Sequence, residues 1–126
     1  MDKEFVPYEQ ALELKELGFD EPCLGWYQDN TLRLDINSNQ SIKFHEHLGR
    51  FKECFLAPLY QQAFRWFREK HGLLFWIEPS FKNQYQTDGY VYYVKNNGSY
   101  SIDYATYEQA EIACLNKLIE IVKNKQ

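Results

Sequence analysis

The densest group of residue types able to hold a metal or exchange protons is His45-Glu46-His47. If this triplet lies on a strand, both imidazoles point to one face, but zinc needs a third and usually a fourth ligand. No neighbouring cysteine or histidine supplies those ligands. The sequence therefore favours an exposed polar segment here, and we expect neither a metal ion nor another cofactor.

Three cysteines, Cys23, Cys54 and Cys114, are candidate nucleophiles. A catalytic thiol needs a lowered pKa and a histidine base that the fold brings close. Cys114 falls on the apolar stripe of the last predicted helix and Cys23 on the inward face of a predicted strand, so we expect both to fill the core. The pattern leaves Cys54 unplaced. Wide spacing without a CxxC pair indicates neither a zinc site nor a disulfide framework, and it fits a reduced cytosol.

Glu111 is the carboxylate that the pattern singles out, because it falls inside the apolar stripe of the last helix. An unpaired charge there would be strongly destabilising, and the helix dipole would offset only part of that cost. Pairing with a tyrosine hydroxyl or a lysine is the favoured interpretation, and a functional role is the alternative. A glycosidase would need a second such acid, and serine-hydrolase, P-loop and Rossmann motifs are absent. The sequence therefore leans away from an enzyme.

Aromatic residues are more numerous than a small core needs, with 10 Tyr, 9 Phe and 3 Trp among 126 residues. Some rings should therefore lie at the surface, where they favour binding. Rings stack on bases at about 1–3 kcal/mol each, and arginines hold phosphates bidentately. The alternative is that the arginines form solvated surfaces and that a cross-strand Trp-Arg pair only stabilises a hairpin. The predicted ligand-binding residues are Trp26, Arg33, Arg65, Arg68, Tyr90, Tyr92 and Glu111.

The formal net charge of -4 provides no basic field for duplex nucleic acid, so no such partner is expected. The chain has no apolar run of about 18 residues and no apolar stretch behind its first residues, which predicts neither a membrane span nor a signal peptide. A cytoplasmic protein is expected. The length of 126 residues, without a Pro/Gly/Ser-rich linker, predicts one globular domain over residues 1–126.

Three helices are predicted to position the candidate residues. The first runs from Tyr8 to Leu17, and the second from Pro58 to His71. The third runs from Tyr107 to about Lys123 and begins with a capping box formed by Thr106 and Gln109. The second helix separates an apolar stripe from a polar face made by Gln61, Arg65 and Arg68.

A first hairpin is predicted from Cys23 to Tyr27 and Thr31 to Ile36, with a turn at Asp29-Asn30 that sets Trp26 opposite Arg33. A buried strand, Leu73 to Ile77, ends before Pro79. The segment from Ile42 to Phe55 lacks a clean period and is assigned to helix.

A second hairpin joins Tyr90 to Lys95 with Tyr100 to Tyr104 through an Asn97-Gly98 turn. Its register predicts one face carrying Val91, Tyr93, Tyr100, Ile102 and Tyr104, and a second, amphipathic face carrying Tyr90, Tyr92, Ser101 and Asp103. The resulting order, α-β-β-α-β-β-β-α, predicts an α+β fold in which three helices pack on one antiparallel sheet of about five strands.

Three stretches carry a family resemblance: Phe5 to Leu12 with Leu14 to Cys23, Tyr60 to Lys70, and Tyr107 to Leu115 with Lys117 to Lys123. They resemble a family of small uncharacterised proteins in phages and prophages of Bacteroidetes-type bacteria, over about half the chain. That family has no established activity. The resemblance therefore implies only a context, that of a phage accessory or anti-defence protein in the cytoplasm of its host.

The leading hypothesis is a non-enzymatic protein that binds and sequesters a nucleotide-type immune signal, cyclic or ADP-ribose-like, by stacking and arginine-phosphate contacts. The alternative is a protein-interaction module whose exposed rings are hot spots for a host or phage protein. An enzyme acting on a nucleotide, perhaps through Glu111, is the third hypothesis. A homodimer formed through an exposed aromatic face is also consistent with the sequence.

Overall fold

The computed structural model describes residues 2–34, 54–83, 86–95 and 98–126, which form two compact units. The first unit extends to Trp66 and the second begins at Phe67. Among the described residues there are three α-helices and six antiparallel strands, so the predicted α+β class is confirmed. The strands form two three-stranded sheets, so the prediction of one sheet of about five strands is wrong.

The first unit contains α1 (Tyr8–Glu16) and a sheet in the order β2-β1-β3, where β1 is Gly25–Gln28, β2 is Thr31–Leu34 and β3 is Cys54–Ala57. The β1–β2 hairpin has the predicted register, with Trp26 opposite Arg33. Its two turn residues both have positive φ, Asp29 at 50° and Asn30 at 65°, as a type I′ turn requires.

All four side chains of β3 are buried, and β3 pairs with β1. The helix predicted over Ile42 to Phe55 is therefore wrong at Cys54 and Phe55, and its remainder lies outside the described residues. A strand whose two faces are both covered has no alternation of apolar and polar residues, so its short apolar run did not reveal a period.

Aromatic contacts join α1 to this sheet. The ring of Tyr8 lies 5.5 Å from that of Tyr27 and 5.0 Å from that of Phe55, measured between centroids. The Tyr27 hydroxyl donates a buried hydrogen bond of 2.7 Å to the Val6 carbonyl. Tyr27 and Phe55 are core, and the buried Tyr27 hydroxyl has an acceptor, whereas Tyr8 is half-buried against them.

The helix α2 (Tyr60–His71) crosses from the first unit into the second. It confirms the predicted amphipathic helix: Ala63, Phe64 and Phe67 are buried, whereas Arg65 and Arg68 are exposed. Trp66 is also buried, at 5% exposure. Its indole stacks edge-on against Phe19, 5.5 Å away within the first unit.

The second unit contains a sheet in the order β4-β5-β6 and the helix α3 (Tyr107–Lys125). The strand β4 (Phe75–Asn83) is longer than predicted and continues through Pro79, which an edge strand tolerates because one side of its backbone need not pair. The strand β5 (Gln86–Val94) begins before Tyr90, the predicted first residue of the second hairpin. The predicted capping box of Thr106 and Gln109 is confirmed at the start of α3.

The last strand, β6, is only Ser99–Tyr100. Tyr93 pairs with Tyr100 and Val94 with Ser99, so the connection is longer than the predicted two-residue Asn97-Gly98 turn. Beyond β6 the chain leaves the ladder and returns where Tyr104 pairs with Tyr90. Tyr104 therefore lies beside Tyr90 and Tyr92. Its predicted place on the Val91 and Tyr93 face is wrong, because the pairing register shifts between Tyr100 and Tyr104.

Gly89 generates a prediction about this irregular pairing. Its φ is 133°, and a Cβ added there would collide with the backbone carbonyl of Tyr104, next to the paired hydrogen bonds between Tyr90 and Tyr104. Gly89→Ala should lower the free energy of unfolding by about 3 kcal/mol or more, since it adds both strain and broken hydrogen bonds. Urea unfolding measures this.

The matched control is Gly72→Ala at the end of α2, where φ is also positive, at 64°, but no atom lies within 4 Å of the added Cβ. In this variant the free energy of unfolding should fall by only about 1 kcal/mol, because backbone strain is the sole cost. Equal losses in the two variants would contradict the view that Gly89 is required for the approach of Tyr104.

Candidate functional site

A row of three rings crosses the β4-β5-β6 sheet. Trp76 pairs with Tyr93, and Tyr93 pairs with Tyr100, so the three side chains share one face of the sheet. The Trp76 and Tyr93 rings are stacked, 4.4 Å apart and 26° from parallel, and Tyr93 and Tyr100 are 4.9 Å apart. We call Trp76, Tyr93 and Tyr100 the ring row.

Both ends of the ring row are exposed, Trp76 by 42% and Tyr100 by 55%. Leu74, which accepts a backbone hydrogen bond from Lys95 just before β4, is 49% exposed, and Ile102, just after β6, is 74% exposed. Single exposed apolar side chains are common, but several on neighbouring strands that include Trp and Tyr indicate an interaction surface.

Glu78 lies two residues beyond Trp76 on β4, so alternation along the strand places its carboxylate on the face that carries Trp76. The Glu78 carboxylate near the Tyr100 hydroxyl raises the pKa of the Tyr100 phenol. Glu78 therefore places a negative charge beside the ring row.

The opposite face of the same sheet is covered by α3. Tyr90 meets Tyr107 of α3 edge-on at 5.7 Å, and Val94 is buried. Burial raises the pKa of Tyr92, and the nearby Tyr104, Cys114 and Glu120 add to that shift. The helix and the sheet therefore form the core of this unit on one side and leave the ring row on the other.

Tyr90 and Tyr92, predicted to bind a ligand, lie on the face that α3 covers, and both are half-buried. Their ring contacts, Tyr90 with Tyr107 and Tyr92 with Tyr104, are packing contacts within the unit. Glu111 is half-buried on α3. Its charge adds to burial in raising the pKa of Tyr107 and of Cys114. Tyr90, Tyr92 and Glu111 thus all lie where α3 packs against the sheet.

The predicted residues of the first unit are Trp26, Arg33 and Arg65. Trp26 is half-buried and Arg33 is exposed, directly across the β1–β2 ladder from each other. Arg65 is exposed on α2. Arg68 is also exposed on α2, and it belongs to the second unit. The predicted juxtaposition of a ring and a guanidinium is therefore present at Trp26 and Arg33.

The ring row and Glu78 are not among the residues that the sequence predicts to bind a ligand. Leu73 to Ile77 was interpreted as a wholly buried strand because its residues are continuously apolar, yet Leu74 and Trp76 are exposed and Leu73 is buried. Alternation was the signal that could have found them: Trp76 and Glu78 are two apart, and so are Val91 and Tyr93.

In the ranges 2–34, 54–83, 86–95 and 98–126, no group of three or more His, Cys, Asp or Glu side chains is arranged to hold a metal ion. His45 and His47 lie outside these ranges. Within the same ranges no helix is both long and apolar enough to cross a bilayer.

The three thiols give a prediction that bears on catalysis. Cys23, Cys54 and Cys114 are all buried and unoxidised, and burial raises the pKa of Cys23 and of Cys114 to about 12. Because the thiolate is the reactive form, native protein at pH 8 should react with an aromatic disulfide reagent slower than unfolded protein by a factor on the order of a thousand. Three equivalents should appear on denaturation. One thiol that reacts rapidly in the native state would contradict this.

No protein-family model matches the chain, and no curated protein and no solved structure is significantly similar to it.

Proposed function

We propose that this chain acts by binding rather than by catalysis, and that the ring row is its interaction surface for a protein partner. The observation that carries this proposal is the exposure of Trp76 and Tyr100 at the two ends of a row that spans all three strands of a sheet. Trp and Tyr are enriched among residues whose truncation costs most at protein interfaces.

Rigidity adds to this argument. Tyr93 is held between the rings of Trp76 and Tyr100. Rings that are already fixed lose little conformational entropy when a partner covers them, so more of the burial energy appears as affinity. The buried, high-pKa thiols of Cys23 and Cys114 support binding over nucleophilic catalysis.

A displayed random-peptide library, selected on the wild-type protein, tests the proposal. Sequences that bind wild type should lose at least about 2 kcal/mol of binding free energy when both ends of the row are removed in Trp76→Ala/Tyr100→Ala, since such rings act as hot spots. The matched control is Phe81→Ala, because Phe81 is a 60% exposed ring of β4 outside the row. Circular dichroism checks that both variants are folded. The proposal fails if no selected sequence distinguishes the double variant from wild type.

A second candidate function is sequestration of a nucleotide-type immune signal at Trp26 and Arg33. The register that places the half-buried indole opposite the exposed guanidinium favours it, because a base could stack on the ring while the guanidinium holds a phosphate. The resemblance to phage proteins supplies its context, an anti-defence protein in the host cytoplasm. Turnover of the nucleotide at the same site is the corresponding enzyme hypothesis.

Calorimetry with cyclic dinucleotides and with ADP-ribose tests this second candidate. Binding should weaken about tenfold or more in Trp26→Ala and in Arg33→Ala, since each removes a stacking or a charged contact of about 1–3 kcal/mol. Lys3→Ala removes the same charge from another exposed residue of the first unit and should leave the affinity unchanged. Unaltered ligand recovered after denaturation supports sequestration, and a converted ligand supports an enzyme. If calorimetry detects no heat of binding with any of these nucleotides, this second candidate function is rejected.

A further inference from the structure

We propose that the ring row binds a cationic side chain, an arginine or a lysine, presented by an exposed segment of its partner. This inference rests on the proposed function and specifies the chemistry of the partner. It combines two observations within the second unit: three rings side by side on one sheet face, and the Glu78 carboxylate adjoining them.

The charge beside the rings gives the first step. Among the described residues, the ion pair of this sheet joins Lys82 to Asp88, and no lysine or arginine is paired with Glu78. The Tyr100 hydroxyl near Glu78 is a neutral group, so it does not compensate the negative charge of the carboxylate. A cation brought to this position gains a charge-assisted contact that a neutral or anionic group does not.

The rings give the second step. Aromatic faces carry negative potential, so an ammonium or guanidinium within about 6 Å of a Trp or Tyr ring is attracted, by about 0.5–1 kcal/mol at exposed sites. Trp76 is the strongest such ring of the row and is 42% exposed. Rings and carboxylate thus favour the same sign of charge. A guanidinium satisfies both, because its plane can stack on a ring while its edge donates to a carboxylate.

Other occupants fit this surface less well. A phosphate group would be repelled by Glu78, which forms no ion pair with a lysine or an arginine among the described residues. A second copy of the chain carries the same net charge of -4 and would bring one carboxylate of this kind toward another. Lys95, whose amide pairs with Leu74, lies at the hairpin end of the row, so a cationic partner is expected to sit toward Glu78.

A pair of synthetic peptides tests the inference on the full chain. One is a glycine-rich peptide with two arginines, and the other has citrulline in their place, which keeps the shape and removes the charge. In nitrogen-proton NMR spectra, the indole signal of Trp76, assigned by its loss in Trp76→Phe, should shift to saturation with the arginine peptide. The citrulline peptide should bind at least tenfold more weakly. Equal binding of the two peptides overturns the inference.

Variants of Glu78 separate charge from structure. Glu78→Gln keeps an oxygen that can accept a hydrogen bond from Tyr100 but removes the negative charge. It should weaken binding of the arginine peptide about five- to tenfold and have little effect on binding of the citrulline peptide. Glu69→Gln, an exposed carboxylate of α2, changes the net charge equally and should have little effect. Unchanged affinity in Glu78→Gln overturns the inference.

Two further outcomes also overturn the inference without removing the proposed function. In the first, the library yields row-dependent sequences that are uncharged or acidic. In the second, sedimentation shows a dimer that Trp76→Ala/Tyr100→Ala dissolves, which makes a second copy the occupant. If no sequence depends on the row, the proposed function itself fails.

Discussion

The packing of α3 against one face of the β4-β5-β6 sheet is the constraint on which the proposed site depends. The helix buries Cys114, Leu115 and Leu118 along a single stripe, so it covers one sheet face and gives Tyr90 and Tyr92 packing partners. Alternation along each strand then places Trp76 and Tyr93 on the other face. Which rings stabilise the unit and which meet solvent is thus decided by one helix.

Local signals predicted the elements in which a short stretch of sequence determines the geometry. The Asp29-Asn30 turn sets the first hairpin register, and the capping box at Thr106 sets the start of α3. The α2 stripe follows from its period of about 3.6 residues. The division into two sheets depends on pairings between distant segments, such as β1 with β3, and no local pattern encodes those.

The candidate site was only half predictable for a related reason. Composition indicated surplus rings, and exposed rings are present, but the sequence put Tyr90 and Tyr92 on the amphipathic, ligand-binding face and Tyr93 and Tyr100 on the other face. Both assignments depended on which hairpin face α3 would cover, and an amphipathic strand pair with tyrosines on both faces does not specify that choice. The one ring and arginine pair that hairpin register alone determines, Trp26 with Arg33, was placed correctly.

The sign of charge beside the rings changes the interpretation of the aromatic surplus. Rings alone do not distinguish bases, sugars, cations and apolar side chains, because stacking tolerates them all. At Trp26 the neighbour across the ladder is a guanidinium, which favours an anionic ligand, whereas at the ring row it is the Glu78 carboxylate, which favours a cation. Both ends of the ring row are exposed, whereas Trp26 is half-buried, so the ring row offers more aromatic surface to a partner, and the charge beside that surface favours a cation.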